Sequence, residues 1–119
     1  MLTTRNDSAL SLTDAVPQIS EANWRSELVK DTRSAETKRA YVRDVRQFFV
    51  TMWGVEPSLE MIKQFFALDQ RTATHVILDY KARLMSAGLK ANTVNRYLCA
   101  IKYLVEWGKR LEFCQFVYD

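Results

Sequence analysis

Residues 34–54 read SAETKRAYVRDVRQFFVTMWG, and the spacing of their apolar residues decides the fold class. Tyr41, Val45, Phe48, Phe49 and Met52 recur at intervals of four, three, one and three. That is the period of one helix face and does not fit a strand. Arg39, Arg43 and Arg46 recur at four and three on a different face. Ser34 has the side chain of an N-cap, whose hydroxyl can accept from the amide of Glu36 or Thr37. Gly54 is a natural stop, with Pro57 beyond it. The stretch predicts a capped amphipathic helix ending at about residue 53.

The same reading extends in both directions. Upstream, Ser20 is expected to cap a short helix running to about Asp31, with Glu21 in its first turn and Trp24, Leu28 and Val29 facing inward. Residues 1–19, MLTTRNDSALSLTDAVPQI, are rich in Ser, Thr, Asp and Asn and read as a flexible leader. Downstream, Ser58 opens a short helix that buries Leu59, Ile62, Phe65 and Phe66. Asp69 or Thr72 caps the next helix, which runs to about Ser86 with Val76, Ile77, Tyr80 and Leu84 inward and Gly88 as its stop. A last long helix spans about Ala91 to Lys109, with Val94, Tyr97, Leu98, Ile101, Leu104 and Val105 as its stripe. Asn92, Asn95, Arg96, Lys102 and Tyr103 fall outside that stripe. The apolar tail EFCQFVYD reads as a strand or as a docking segment. The fold class is all-α, a four- to five-helix bundle over residues 20–119 around one core.

Composition removes other classes. The chain has 119 residues, enough for one core without staples, and only 3 Gly and 2 Pro, too few for a many-turned β-sandwich. Cys99, Cys114 and the lone His75 offer no zinc-ligand spacing, so no metal site and no cofactor are expected. The two thiols read as small buried hydrophobes in a reducing intracellular compartment. No apolar run spans a membrane and no signal peptide is visible. The formal charge of +3 becomes informative when divided. Residues 34–53 and residues 89–119 each carry a net +2, residues 54–88 are neutral, and residues 1–33 are net −1. The excess therefore lies on two helices that both begin with small polar residues. Helix amides and dipoles attract phosphate, and basic helix faces suit polyanions.

Two stretches on those helices resemble a known family. Ser34, Thr37, Tyr41, Asp44 and Phe48 match the opening landmark of the core-binding domain of tyrosine recombinases, the phage-type integrases. Gly88, Thr93, Val94, Asn95, Arg96, Leu98, Ala100, Ile101, Leu104 and Trp107 resemble its second landmark. The two occur in the family's order, about fifty residues apart, and the resemblance covers roughly residues 20–113. It departs from the family at Lys90, where a capping Ser or Thr is usual, and in the tail, which lacks the usual Asn-Pro.

The resemblance implies a SAM-like domain that clamps one face of duplex DNA and carries no chemistry. In the family a separate C-terminal domain supplies a tyrosine nucleophile, arginines, a lysine and histidines, and forms a 3′-phosphotyrosyl link. His75 alone cannot build that assembly, so the chain is expected to be the DNA-clamping part of a larger recombinase, with Tyr118 a packing residue. The implied partners are duplex DNA, the recombinase's own catalytic domain and neighbouring protomers on the DNA. The implied setting is the cytoplasm of a bacterial or phage-derived system, at the nucleoid.

The expected DNA contacts are Thr37, Lys38, Arg39 and Arg43 on the first basic helix, and Lys90, Asn92, Thr93, Asn95 and Arg96 on the second. Asn95 and Arg96 have the amide and guanidinium groups that read base edges, and Thr93 serves equally as a first-turn cap. Tyr41, Phe48, Phe49, Trp53, Tyr97 and Trp107 are expected to be core or partly buried, and His75 at the surface. A rival from another class is a helical protein-interaction module with an aromatic groove and an apolar C-terminal docking tail.

Overall fold

A computed structural model describes Leu12 and residues 18–118; most of the leader expected over residues 1–19 lies outside the described residues, as does Asp119. Among the described residues the chain forms five helices and no strand. They are α1 (Trp24–Leu28), α2 (Ala35–Trp53), α3 (Leu59–Phe66), α4 (Gln70–Ser86) and α5 (Ala91–Arg110). None is long and apolar enough to cross a membrane.

Local chemistry places most of the boundaries. Ser34 Oγ accepts from the Thr37 amide at 3.3 Å, Ser58 Oγ from Met61 at 3.2 Å, and Asp69 Oδ1 from Thr72 at 2.7 Å. Each bond satisfies an amide that has no partner inside its helix. Asp69, rather than Thr72, is therefore the cap of α4, and the Thr72 amide holds its carboxyl below the ordinary range. Gly54 and Gly88 follow α2 and α4 in the left-handed region, at φ 72° and 85°.

The N-terminal helix departs from expectation. It begins at Trp24 rather than at Ser20 and ends at Leu28, because a turn over residues 21–23 precedes it. There the Ser20 amide donates to Asn23 Oδ1 at 2.8 Å, so Ser20 is the capped partner and not the cap. Glu21 consequently reaches another element. Its Oε1 accepts from the Leu59 amide at 2.7 Å, at the start of α3, and this bond lowers its carboxyl pKa. Arg25 donates to the Pro57 carbonyl at 2.9 Å in the same junction.

The core lies where α2, α4 and α5 meet, with α2 packed mainly on α5. Val45, Phe48, Phe49, Ile62, Phe65, Phe66, Tyr80, Ile101, Leu104 and Val105 are all buried. Phe48 is the hub, edge-on to Phe49 at 5.3 Å, Phe65 at 5.2 Å and Tyr80 at 4.8 Å. Such edge-to-face pairs add to simple area burial. Three expectations need correction. Trp53 packs edge-on against Phe48 yet is 42% exposed, since it stands on the last turn of α2. Cys99 is exposed, beside the stripe of α5 rather than in it; Cys114 is buried. Tyr103, expected outside the stripe, is half-buried and stacks on Tyr41 at 4.4 Å.

The tail is a docked segment without strand structure. After α5 the chain reverses at Glu112, at φ 62°, and the Gly108 carbonyl accepts from Phe113 and Cys114. Phe116 is then buried against Phe65 at 5.3 Å. The Gln70 carboxamide seals the end: it accepts from the Val117 amide at 2.8 Å and donates to the Val117 carbonyl at 2.9 Å. Because Phe116 is spent on this chain's own core, the tail does not form the free docking arm of the rival reading.

Gly108 faces the Phe66 ring, and a Cβ there would fall 2.5 Å from Cζ. In an open helix, Gly→Ala stabilises by roughly 1 kcal/mol. Here overpacking against a buried ring costs about 1–3 kcal/mol. Gly108→Ala should therefore lower stability in urea denaturation; a gain would refute the close contact of α5 with α3.

Candidate nucleic-acid interface

The outer side of α2 is bordered by two open cavities. The first, of about 380 Å³, lies between α1 and α2. Five cations line it, Arg25, Lys38, Arg39, Arg43 and Arg46, against one acid, Glu56. Arg46 Nε donates to both Glu56 oxygens, at 2.8 and 2.6 Å, and this pairing holds the Glu56 carboxyl below its ordinary range. Arg25 is spread over the Trp24 ring at 4.3 Å, besides its bond to Pro57. Lys38 and Arg39 make no ion pair among the described residues. Arg25, Arg43 and Arg46 each have an acidic partner, in Glu21, Asp44 and Glu56.

The second cavity, of about 370 Å³, lies between α2 and α5 and is lined by Glu36, Thr37, Ala40, Tyr41, Asp44, Arg96 and Cys99. It brings residues of the two expected contact segments together, Thr37 from α2 and Arg96 from α5. Asp44 joins them. Its side chain is only 3% exposed, on the face of α2 that also buries Val45 and Phe48. Arg43 Nε donates to Asp44 Oδ1 at 3.2 Å, and Arg96 Nε pairs with Oδ2 at 3.6 Å. The arginine side chains are 61% and 54% exposed, so their heads stand in solvent while their inner edges are held. Arg96 also lies over the Tyr97 ring at 4.7 Å. A buried charge needs such partners, because desolvation otherwise disfavours it strongly.

The remaining expected residues spread along the first turns of α5. Lys90, Asn92 and Asn95 are exposed, Thr93 is half-buried, and none of them lines either cavity. Lys90 occupies the N-cap position, and its side chain makes no cap hydrogen bond. Unlike α2, α3 and α4, the first-turn amides of α5 are therefore not capped by a side chain. With the helix dipole, such amides form a weakly anion-attracting end.

Arg25 and Arg46 line the first cavity and the buried Asp44 lines the second, although none was among the expected contacts. Arg25 was hidden in a helix read for its apolar residues. Asp44 did leave a signal: it follows Tyr41 by three residues and precedes Phe48 by four, which puts a carboxylate on the inward stripe.

Tyr80 lies within this packing. It is fully buried, and no described group pairs with its hydroxyl. Burial raises its phenol pKa most, and the Asp44 charge and Tyr97 add to the shift.

Comparison with known proteins follows the same lines. Residues 22–111 match the family described as phage integrase, N-terminal SAM-like domain. A tyrosine recombinase of Synechocystis sp. is 40% identical over 97 residues, which is 82% of this chain and 31% of that protein. A tyrosine recombinase of Synechococcus elongatus is 42% identical over 89 residues, 75% of this chain and 28% of that protein. The chain thus spans about three tenths of the length of these curated relatives. No solved structure matches.

A buried hydroxyl without a partner opposes folding, so Tyr80→Phe should leave stability unchanged or raise it by up to about 1 kcal/mol. A loss of more than roughly 1 kcal/mol in thermal unfolding would show instead that the hydroxyl donates to a neighbour.

Proposed function

This chain belongs to the phage integrase N-terminal SAM-like family, the helical N-terminal domain of tyrosine recombinases, and we propose that it binds duplex DNA without doing chemistry on it. In this reading residues 20–119 form the DNA-binding unit, preceded by a leader over residues 1–19. The unit lies on one face of a recombination site and positions a separate catalytic domain for strand exchange. Its partners are the duplex, that catalytic domain and neighbouring protomers on the same DNA. Its setting is the cytoplasm, at the nucleoid.

The observation that carries the proposal is the meeting of the two basic helices at Asp44, which pairs with Arg43 of α2 and Arg96 of α5, while Arg43 also lines the first cavity with Lys38 and Arg39. These four cations on two adjoining helices suit a phosphate backbone, where each neutralised phosphate releases counterions. Thr37 and the uncapped first turn of α5 add neutral donors, which fix register rather than sequence. Asn92 and Asn95, exposed beside them, carry amides able to pair with base edges.

One observation favours the rival reading. A smaller cavity of about 170 Å³ is lined by Phe49, Trp53, Met61, Gln64, Phe65 and Leu68, with Trp53 exposed at its rim. An apolar partner helix would dock there. An NMR titration with duplex DNA separates the two: shifts in residues 36–46 and 90–102 support DNA binding, and the absence of shifts there counts against it.

The Arg39→Ala, Arg96→Ala double variant should bind any duplex at least about tenfold more weakly. Its plot of log affinity against log salt should flatten by roughly two charges. Fluorescence anisotropy at several salt concentrations measures both. Unchanged affinity and slope would remove these residues from the interface.

A further inference from the structure

We propose that Asp44 is a positioning residue for DNA binding: it holds Arg43 and Arg96 by their inner edges so that both present their outer nitrogens to the backbone of one duplex. The inference rests on the DNA-binding reading above and deepens it.

The geometry is specific. Sequence neighbours on a helix do not ordinarily face each other, yet Arg43 folds back so that its Nε reaches Asp44 Oδ1. From the facing helix, Arg96 brings the same atom, Nε, to the other oxygen. Each guanidinium has five N–H donors in a rigid fork. With Nε turned inward on both, the terminal nitrogens remain for an external anion, and the side chains are more than half exposed. The Tyr97 ring under Arg96 limits its remaining swing. Asp44 itself cannot move aside, since it is buried on the helix face that anchors α2 to the core. A guanidinium fixed before binding loses less rotamer entropy when it meets phosphate.

The sign of the effect separates positioning from simple charge. A carboxylate near a phosphate backbone repels it, so charge alone predicts that Asp44→Asn tightens DNA binding. Positioning predicts the reverse.

The test uses this chain and a short duplex of arbitrary sequence in fluorescence anisotropy, with circular dichroism to confirm that each variant is helical. Asp44→Asn should weaken binding at least about fivefold. That loss should vanish in an Arg43→Ala, Arg96→Ala background, because Asp44 then has nothing to position. In NMR spectra the side-chain Nε–Hε signals of Arg43 and Arg96 should shift in Asp44→Asn while distant backbone amides stay in place. Equal or tighter binding by folded Asp44→Asn overturns the inference, and so does a loss that persists in the double-alanine background. Should Asp44→Asn fail to fold, Arg96→Lys decides. Lysine keeps the charge but has no fork, so positioning predicts weaker binding with an unchanged salt slope, and wild-type affinity overturns it. If the wild-type chain binds no duplex, the DNA-binding reading itself falls; if it binds, and Arg43→Ala and Arg96→Ala leave that binding unchanged, the positioning role falls. If they weaken it and Asp44→Asn does not, only the positioning role falls.

Discussion

A carboxylate buried on the inward face of α2 constrains how the two longest helices meet. Asp44 sits among Val45, Phe48 and Phe49 in burial, where an unpaired charge would be strongly disfavoured. Its counter-charges come from its own helix, through Arg43, and from α5, through Arg96. The α2–α5 packing therefore cannot rotate or slide far without exposing a charge to an apolar surround. Replacing such a group by an apolar residue often leaves a fold intact or more stable, so its presence points to specificity of arrangement. Here that arrangement places cations on the outer surface and rings beneath them, with the Tyr41–Tyr103 stack in the same α2–α5 contact.

Around that junction the remaining elements close the core in a local and then a long-range manner. Phe48 gathers Phe49, Phe65 and Tyr80, so α2, α3 and α4 share one aromatic cluster. Gly108 lets α5 approach Phe66 closely enough that a single added carbon would collide. The tail then covers Phe65 with Phe116, and Gln70 pairs both polar groups of Val117 as a neighbouring strand would. These contacts leave the basic side of α2 and the first turns of α5 uncovered. A core-forming face and a basic side are thus separated on the same two helices.

Much of this was legible residue by residue. Ser34, Ser58, Gly54 and Gly88 mark helix ends by chemistry that acts within three or four residues, and each acts where expected. Ser20 misled because it is an equally good cap by type, but Asn23 accepts from its amide and a turn intervenes. Glu21 then turns from a first-turn residue of one helix into an anion at the start of another, through a contact 38 positions away. Trp53 and Cys99 misled for a different reason. Periodicity or residue type suggests burial for each, but whether a neighbour covers them depends on how the helices assemble. In the candidate interface, the basic faces of α2 and α5 were visible as charge and spacing. Their meeting through Asp44 was visible only as a carboxylate out of place on an apolar stripe.

The sequence by itself determined an all-α bundle of four to five helices, most of their caps and stops, most residues of the core, and the family to which the pattern belongs. Those properties depend on periodicity and on hydrogen bonds between near neighbours, which the order of residues specifies directly. Only the tertiary structure decided that Arg43 and Arg96 share one carboxylate, that Tyr103 stacks on Tyr41, and that the tail ends against Gln70. Each of these joins segments far apart in the chain, and their meeting follows from how whole helix faces pack. No local pattern encodes the angle and register of that packing, which is why the charge could be read from the sequence and its geometry could not.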